Sequence, residues 1–121
     1  MQKILVVDDQ QDMVFMIKTI LAKKGFKVET DMTGNRVENL DVEDNFPDLI
    51  ILDINLDKKN GGLICRQLKS TESTKHIPVI MVSSDLELVS ISKDCGAEDF
   101  LAKPFRSKDL VYKVLFNLRA A

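Results

Sequence analysis

Four short runs of consecutive apolar residues punctuate the chain: Ile4–Val7, Leu49–Leu52, Val79–Val82 and Phe100–Ala102. Runs of this length, with β-branched residues and no polar alternation, read as strands buried on both faces, the pattern of a parallel sheet. Between them the spacing becomes helical. Gln11–Lys24 carries Met13, Met16, Ile17, Ile20 and Leu21 on one stripe, and Gly25 follows the Lys23-Lys24 pair as a C-terminal cap. Gly62–Ser70 turns Leu63, Ile64 and Leu68 inward, and Leu86–Cys95 closes at Gly96. Ser107 is placed to cap a last helix with a stripe of Leu110, Val111, Val114, Leu115 and Leu118. Lys27–Thr30 is half polar and predicts an edge strand. Thr33–Asn45 has the weakest pattern, with Val37 and Leu40 alone on a stripe among acids, and Phe46-Pro47 ends it.

Strands alternating with helices predict an α/β fold: a single doubly wound (βα)5 domain with a five-stranded parallel sheet, right-handed crossovers and helices on both faces. Such sheets bind ligands in the crevice beyond the carboxyl ends of their strands, where the strand order reverses. Asp8-Asp9, Asp53, Ser83 and Lys103 each come at the end of one of the four runs, so they meet at that edge. Carboxylates gathered around too little positive charge call for a hard cation, and Mg²⁺ takes oxygen ligands beside phosphate. The set is suited to placing a phosphoryl group on a carboxylate. Taken singly, each piece has a plainer reading. Acids after a strand favour a helix N-terminus, Lys103-Pro104 makes a turn, and Ser83 can cap the fourth helix. Their joint order decides between the two. His76 stands in a polar loop before Ile77-Pro78 and reads as solvated.

Length and charge narrow the picture further. A chain of 121 residues is one domain with room for one good core. A formal charge of −2 gives no global basic field, so direct contact with nucleic acid or an acidic membrane is not expected. No apolar stretch approaches the ~20 residues of a membrane span, and the amino terminus has no secretory core, so the expected compartment is the cytoplasm. Cys65 and Cys95 lie in no C-x-x-C pair and read as buried, reduced thiols.

Across essentially its whole length the chain resembles the receiver domain of two-component response regulators. The matching pieces, in order, are Val7-Asp8-Asp9, Asp53 after Ile50-Ile51-Leu52, Asn60-Gly61, Ser83, Gly96-Ala97-Glu98-Asp99-Phe100 and Lys103-Pro104-Phe105. The resemblance implies a sheet order of 2-1-3-4-5 and a receiver domain over residues 1–121. It implies that Asp53 is the phosphoacceptor, assisted by Lys103 and Ser83. Mg²⁺ would be held by Asp8, Asp9, Asp53 and the main-chain carbonyl of Asn55. Lys103-Pro104 is cis in this family, and Ser83 and Phe100 are its switch pair. Asn55 and Asp85 occupy the positions that tune the lifetime of the phosphoryl group. The implied partners are a histidine kinase or phosphotransfer protein upstream and a downstream protein or effector domain. The domain would act as a monomer or a phosphorylation-dependent dimer. Asp99 and Lys113 stand where resembling regulators pair across that dimer, although helix four has no matching arginine.

The chain departs from the family pattern in three respects: no effector domain follows helix five, so a stand-alone receiver or a piece of a longer protein is expected, and two local features differ. Asp57 replaces a usual proline, which predicts a more flexible Asp57–Gly62 loop with an extra acid near the site. The segment from Ser83 to Lys103 is shorter than usual and predicts a shortened or disordered fourth helix. Three other functions fit less well. A haloacid-dehalogenase-type phosphatase would place a second Asp two residues after its nucleophile, where this chain has Asn55, a residue that transfers no proton. A flavodoxin-like nucleotide binder needs a Gly/Ser/Thr-rich cradle where Asp8-Asp9-Gln10-Gln11 stands. A degenerate receiver acting as a scaffold would not need the full set of Asp8, Asp9, Asp53, Ser83 and Lys103.

Overall fold

The computed structural model describes residues 2–43 and 45–120. Five strands, β1 (Lys3–Val7), β2 (Lys27–Asp31), β3 (Leu49–Leu52), β4 (Val79–Ser83) and β5 (Asp99–Ala102), alternate with α1 (Gln11–Lys23), α2 (Leu40–Glu43), α3 (Gly61–Ser70), α4 (Leu88–Cys95) and α5 (Ser107–Ala120). The strands form one sheet in the order β2-β1-β3-β4-β5, and every pairing is parallel. The doubly wound sheet expected from the apolar runs, with the half-polar second strand at its edge, is therefore the fold. Among the described residues, no helix is long and apolar enough to cross a membrane.

Each central strand feeds two cores because successive side chains point to opposite faces. Leu5, Val7, Ile50, Leu52 and Met81 pack on one face with Ile64, Cys65 and Leu68 of α3 and Leu88 and Cys95 of α4. Ile4, Val6, Leu49, Ile51, Ile80 and Val82 pack on the other with Ile17 and Leu21 of α1 and Leu110 and Val114 of α5. Burial on both faces is why these strands show no polar alternation.

The helix stripes differ from the sequence expectation in phase. In α1 the buried residues are Val14, Ile17 and Leu21, while Met16 is exposed. In α3 the inward set is Ile64, Cys65 and Leu68, and Leu63 is 66% exposed. In α5, Leu115 faces outward and Asn117 is buried. In each case a neighbouring residue on the 3.6-residue period takes the core position, and an apolar side chain beside it is left at the rim. The cap of α5 is not Ser107. The carbonyl of Arg106 accepts from Asp109 and Leu110, and Ser107 is already helical.

The second helix is a 3-10 turn (Val37–Asn39) followed by a single turn of α-helix, held to the core by Val37 and Leu40. Residue 44, within the segment expected to be helical, lies outside the described residues, as does Ala121. The fourth helix is short, as the spacing predicted, but ordered. It begins at Leu88 after a turn in which Leu86 is 100% exposed, and it ends at Gly96 in a left-handed conformation with φ of 83°. Cys65 and Cys95 are free, buried thiols, and Cys65 Sγ lies 3.6 Å from the Cys95 carbonyl. Burial pushes the Cys65 thiol well above its ordinary range.

Candidate functional site

Strand pairing carries the site residues to one edge. The Asp53 amide bonds to the Val7 carbonyl at 3.0 Å, which sets the residue after β3 beside the residue after β1. The Lys103 amide bonds to the Ser83 carbonyl at 3.0 Å and does the same for β4 and β5. Asp8 and Asp53 are buried and Asp9 half-buried, and one oxygen from each of the three lies within 4.8 Å of the others. Lys103 Nζ donates to Asp8 Oδ2 and Asp53 Oδ2, both at 2.8 Å, across 95 and 50 residues of sequence. Lys103-Pro104 is cis, as the resemblance implied.

One ammonium cannot balance the formal charge of three carboxylates. Burial pushes the Asp8 carboxyl above its ordinary value, and hydrogen bonds from Lys103 and the Gln10 amide only partly offset it. Burial also works against the charge of Lys103. Its bonds to Asp53 and Asp8 prevail, however, and hold it above the ordinary lysine value. The formal charge left over, two negatives on an all-oxygen donor set, is what a hard divalent cation such as Mg²⁺ matches.

Ser83 is the last residue of β4 and 2% exposed. Its Oγ accepts from the Asp85 amide at 3.2 Å, so the hydroxyl faces the turn after β4. Asn55, two residues past Asp53, donates its side-chain amide to Asp85 Oδ2 at 2.8 Å, bridging the β3 and β4 loops. That bond, with one from the Glu87 amide, holds the Asp85 carboxyl below its ordinary value. The Asn55 backbone N–H donates to Asp53 Oδ1 at 3.2 Å.

The loop carrying Asp57 is a closed turn rather than a loose one. Leu56 N bonds to the Lys59 carbonyl at 3.2 Å, Asn55 bridges Asn60, and Lys59 pairs with Glu38 and reaches Asn35 Oδ1 at 2.7 Å. Asp57 is exposed and is not one of the three clustered acids. Asn60 caps α3 by accepting from Leu63 N.

Phe100 lies partly buried against the core beneath α4, with Lys113 Nζ 5.4 Å from its ring centroid. Asp99 and Lys113 pair at 2.8 Å within the chain, and Asn117 also donates to Asp99. This internal pair already engages the groups expected to meet across a dimer. His76 is exposed, as expected.

Sequence reasoning left three residues without a role. Gln10 Oε1 accepts from Lys103 Nζ at 3.1 Å, and no motif marks it. Gly61 sits against the Asp53 backbone, a role its place beside Asn60 only hinted at. Asp31, buried at the end of β2, has both oxygens engaged by Thr33, Gly34 and Val37, so it serves the loop after β2 rather than the crevice.

The sequence model of the response regulator receiver domain family matches residues 4–115. The chain belongs to this family. Among curated proteins it is similar to the transcriptional regulatory protein CpxR of Escherichia coli (strain K12), 37% identical over 122 residues covering 98% of this chain and 50% of CpxR. It is also similar to the DNA-binding response regulator MtrA of Mycobacterium tuberculosis, 34% identical over 121 residues covering 98% of this chain and 51% of MtrA. The chain thus spans about half the length of the curated relatives it matches. Among solved structures, the signal receiver domain of a signal transduction histidine kinase from Syntrophus aciditrophicus superposes with a TM-score of 0.90 at 32% identity, covering 100% of this chain and 92% of that one. A CheY-like receiver domain protein from Methanospirillum hungatei JF-1 gives 0.86 at 27% identity, with 99% and 95% covered.

Proposed function

We propose that this receiver domain is a phosphorylation-activated switch that accepts a phosphoryl group on Asp53 from a histidine kinase, a phosphotransfer protein or a small phosphodonor. The observation that carries this reading is the placement of the Asp53 carboxylate at the mouth of the sheet, with a buried ammonium at 2.8 Å and two further acids within 4.8 Å. In the transfer, an Asp53 oxygen attacks phosphorus, and the bond from phosphorus to the donor's leaving group breaks with its electron pair going to the donor. Lys103 then turns from the Asp53 carboxylate to a phosphoryl oxygen, and the Ser83 hydroxyl leaves the Asp85 amide to donate to another. Asp8, Asp9, Asp53 and the Asn55 carbonyl would hold Mg²⁺, which when bound offsets the repulsion between acids and phosphate.

Movement of Ser83 opens space for Phe100 to turn inward, which changes the face formed by α4, β5 and α5. That face speaks to a downstream protein or an attached effector domain. The domain itself supports self-phosphorylation and slow self-dephosphorylation rather than turnover, and it works in the cytoplasm. Two relatives are named as a transcriptional and a DNA-binding regulator, which narrows the expectation of no nucleic-acid contact: with a charge of −2, this domain reaches DNA through what it controls.

Asp53→Asn tests the reading. With Mg²⁺ and acetyl phosphate, the wild-type protein gains the mass of one phosphoryl group and the variant does not. Uptake by the variant at the wild-type rate would overturn the assignment.

A further inference from the structure

Gln10 occupies the N-cap position of α1, where Ser, Thr, Asp or Asn are preferred, and its side chain makes no capping bond. It turns instead toward the crevice, where Oε1 accepts from Lys103 Nζ at 3.1 Å. Its backbone N–H donates to Asp8 Oδ1 at 2.9 Å, and Asp8 Oδ2 in turn accepts from the same ammonium. Gln10 therefore touches both members of the Asp8–Lys103 pair. The three protons of the ammonium meet three acceptors: Asp8, Asp53 and Gln10.

We infer that Gln10 is a positioning residue, an uncharged anchor that holds the Lys103 ammonium in place through phosphoryl transfer. This rests on the proposed phosphoacceptor role of Asp53. When Asp53 becomes an acyl phosphate its carboxyl loses its charge, so it becomes the poorest acceptor around Lys103, while the new phosphoryl oxygens are strong ones. The ammonium exchanges Asp53 for a phosphoryl oxygen and keeps Asp8 and Gln10 as its two fixed points. Asp8 is shared with any bound cation, whereas Gln10 is not, so Gln10 is the uncontested anchor. Its neutrality matters as much as its reach. A carboxylate here would hold Lys103 at least as firmly but would add a fourth negative charge against the incoming donor.

The test uses Gln10→Met, which keeps length without an acceptor, and Gln10→Asn, a better N-cap that is too short to reach. The first readout is the ¹⁵N ammonium signal of Lys103 and the solvent exchange of its protons, in the protein without metal. Faster exchange in both variants is expected. The second is the rate of phosphorylation by acetyl phosphate at saturating Mg²⁺, expected to fall about tenfold or more, the factor carried by one hydrogen bond from a charged donor. A purely structural role predicts that Gln10→Asn loses nothing. Wild-type ammonium exchange in both variants would overturn the inference, and so would altered exchange at an unchanged phosphorylation rate. If the wild-type protein takes up no phosphoryl group, the proposed function fails, and with it the part of Gln10 in phosphoryl transfer. The ammonium readout then shows separately whether Gln10 anchors Lys103.

Discussion

Replacing Gly61 with alanine should damage the site although it improves the helix. Gly61 opens α3, where alanine is the better helix former by up to about 1 kcal/mol. Its amide also bonds to the Ile54 carbonyl at 2.5 Å, which lays the helix start directly on the chain leaving β3. A Cβ there would overlap the Asp53 carbonyl oxygen and stand 2.8 Å from the Asp53 carbonyl carbon and 2.9 Å from Ile54 Cα. All three are backbone atoms that no rotamer change can move aside, so relief needs a shift on the order of 1 Å between α3 and the Asp53 main chain. Overpacking of this kind costs about 1–3 kcal/mol, which outweighs the gain in propensity. The functional loss should be larger, because a misplacement of about 1 Å at a reacting group can cost on the order of 10²-fold in rate. Thermal or urea unfolding checks the first quantity, and the rate of phosphoryl uptake from acetyl phosphate with Mg²⁺ checks the second. A Gly61→Ala protein that is more stable than wild type and phosphorylated at the same rate would refute the reasoning.

Asp9→Asn should weaken Mg²⁺ binding on the order of tenfold or more, measured by calorimetric titration, while leaving the Lys103 pairs with Asp8 and Asp53 in place. Phosphoryl loss from Asp53 should be far slower than the ~1–10³ per second of typical enzymes, because neither Asn55 nor Asp85 is placed as a general base. Replacing either with a bulky or cationic residue should lengthen the lifetime of radiolabelled phosphoprotein after donor removal, and an unchanged decay would show that their bridge does not govern water access. For Asp99, partial burial pushes the carboxyl up, but Lys113, Asn117 and the Phe100 amide hold it below 3.8. A depressed carboxyl contributes stability that is complete above the unfolded value and lost as pH falls through the lower folded value. Asp99→Asn should therefore flatten the decline in stability on the acid side of 3.8, read by urea unfolding across that range.

What was legible in the sequence follows from which interactions are local. The apolar runs of β1, β3 and β4 announce themselves because burial on both faces disfavours polar residues, whereas β5, at the sheet edge, is only half-buried and carries Asp99. The site acids were legible because a strand end is a fixed address: Asp8 and Asp53 must emerge side by side once β1 and β3 pair in parallel. The exact phase of α1, α3 and α5 was not, because Met16, Leu63 and Leu115 are as apolar as the residues that displaced them. Only the position of the sheet decides between them.

Gln10 and Gly61 illustrate the harder limit. Gln10 matters through an acceptor atom that reaches a lysine far along the chain, and glutamine at a helix start carries no signal of that reach. Gly61 matters through an absent atom. Its φ is not in the left-handed region, so no turn rule demands glycine there, and the requirement arises from the main chain of Asp53 passing where a methyl group would stand. The two residues act on the two members of one ion pair: Gln10 steadies the ammonium that faces Asp53, and Gly61 lets the backbone of Asp53 sit against the start of α3. The charged residues of this site are thus recognisable by their chemistry, while their precision depends on a neutral amide and a bare glycine whose roles emerge only when the chain is folded.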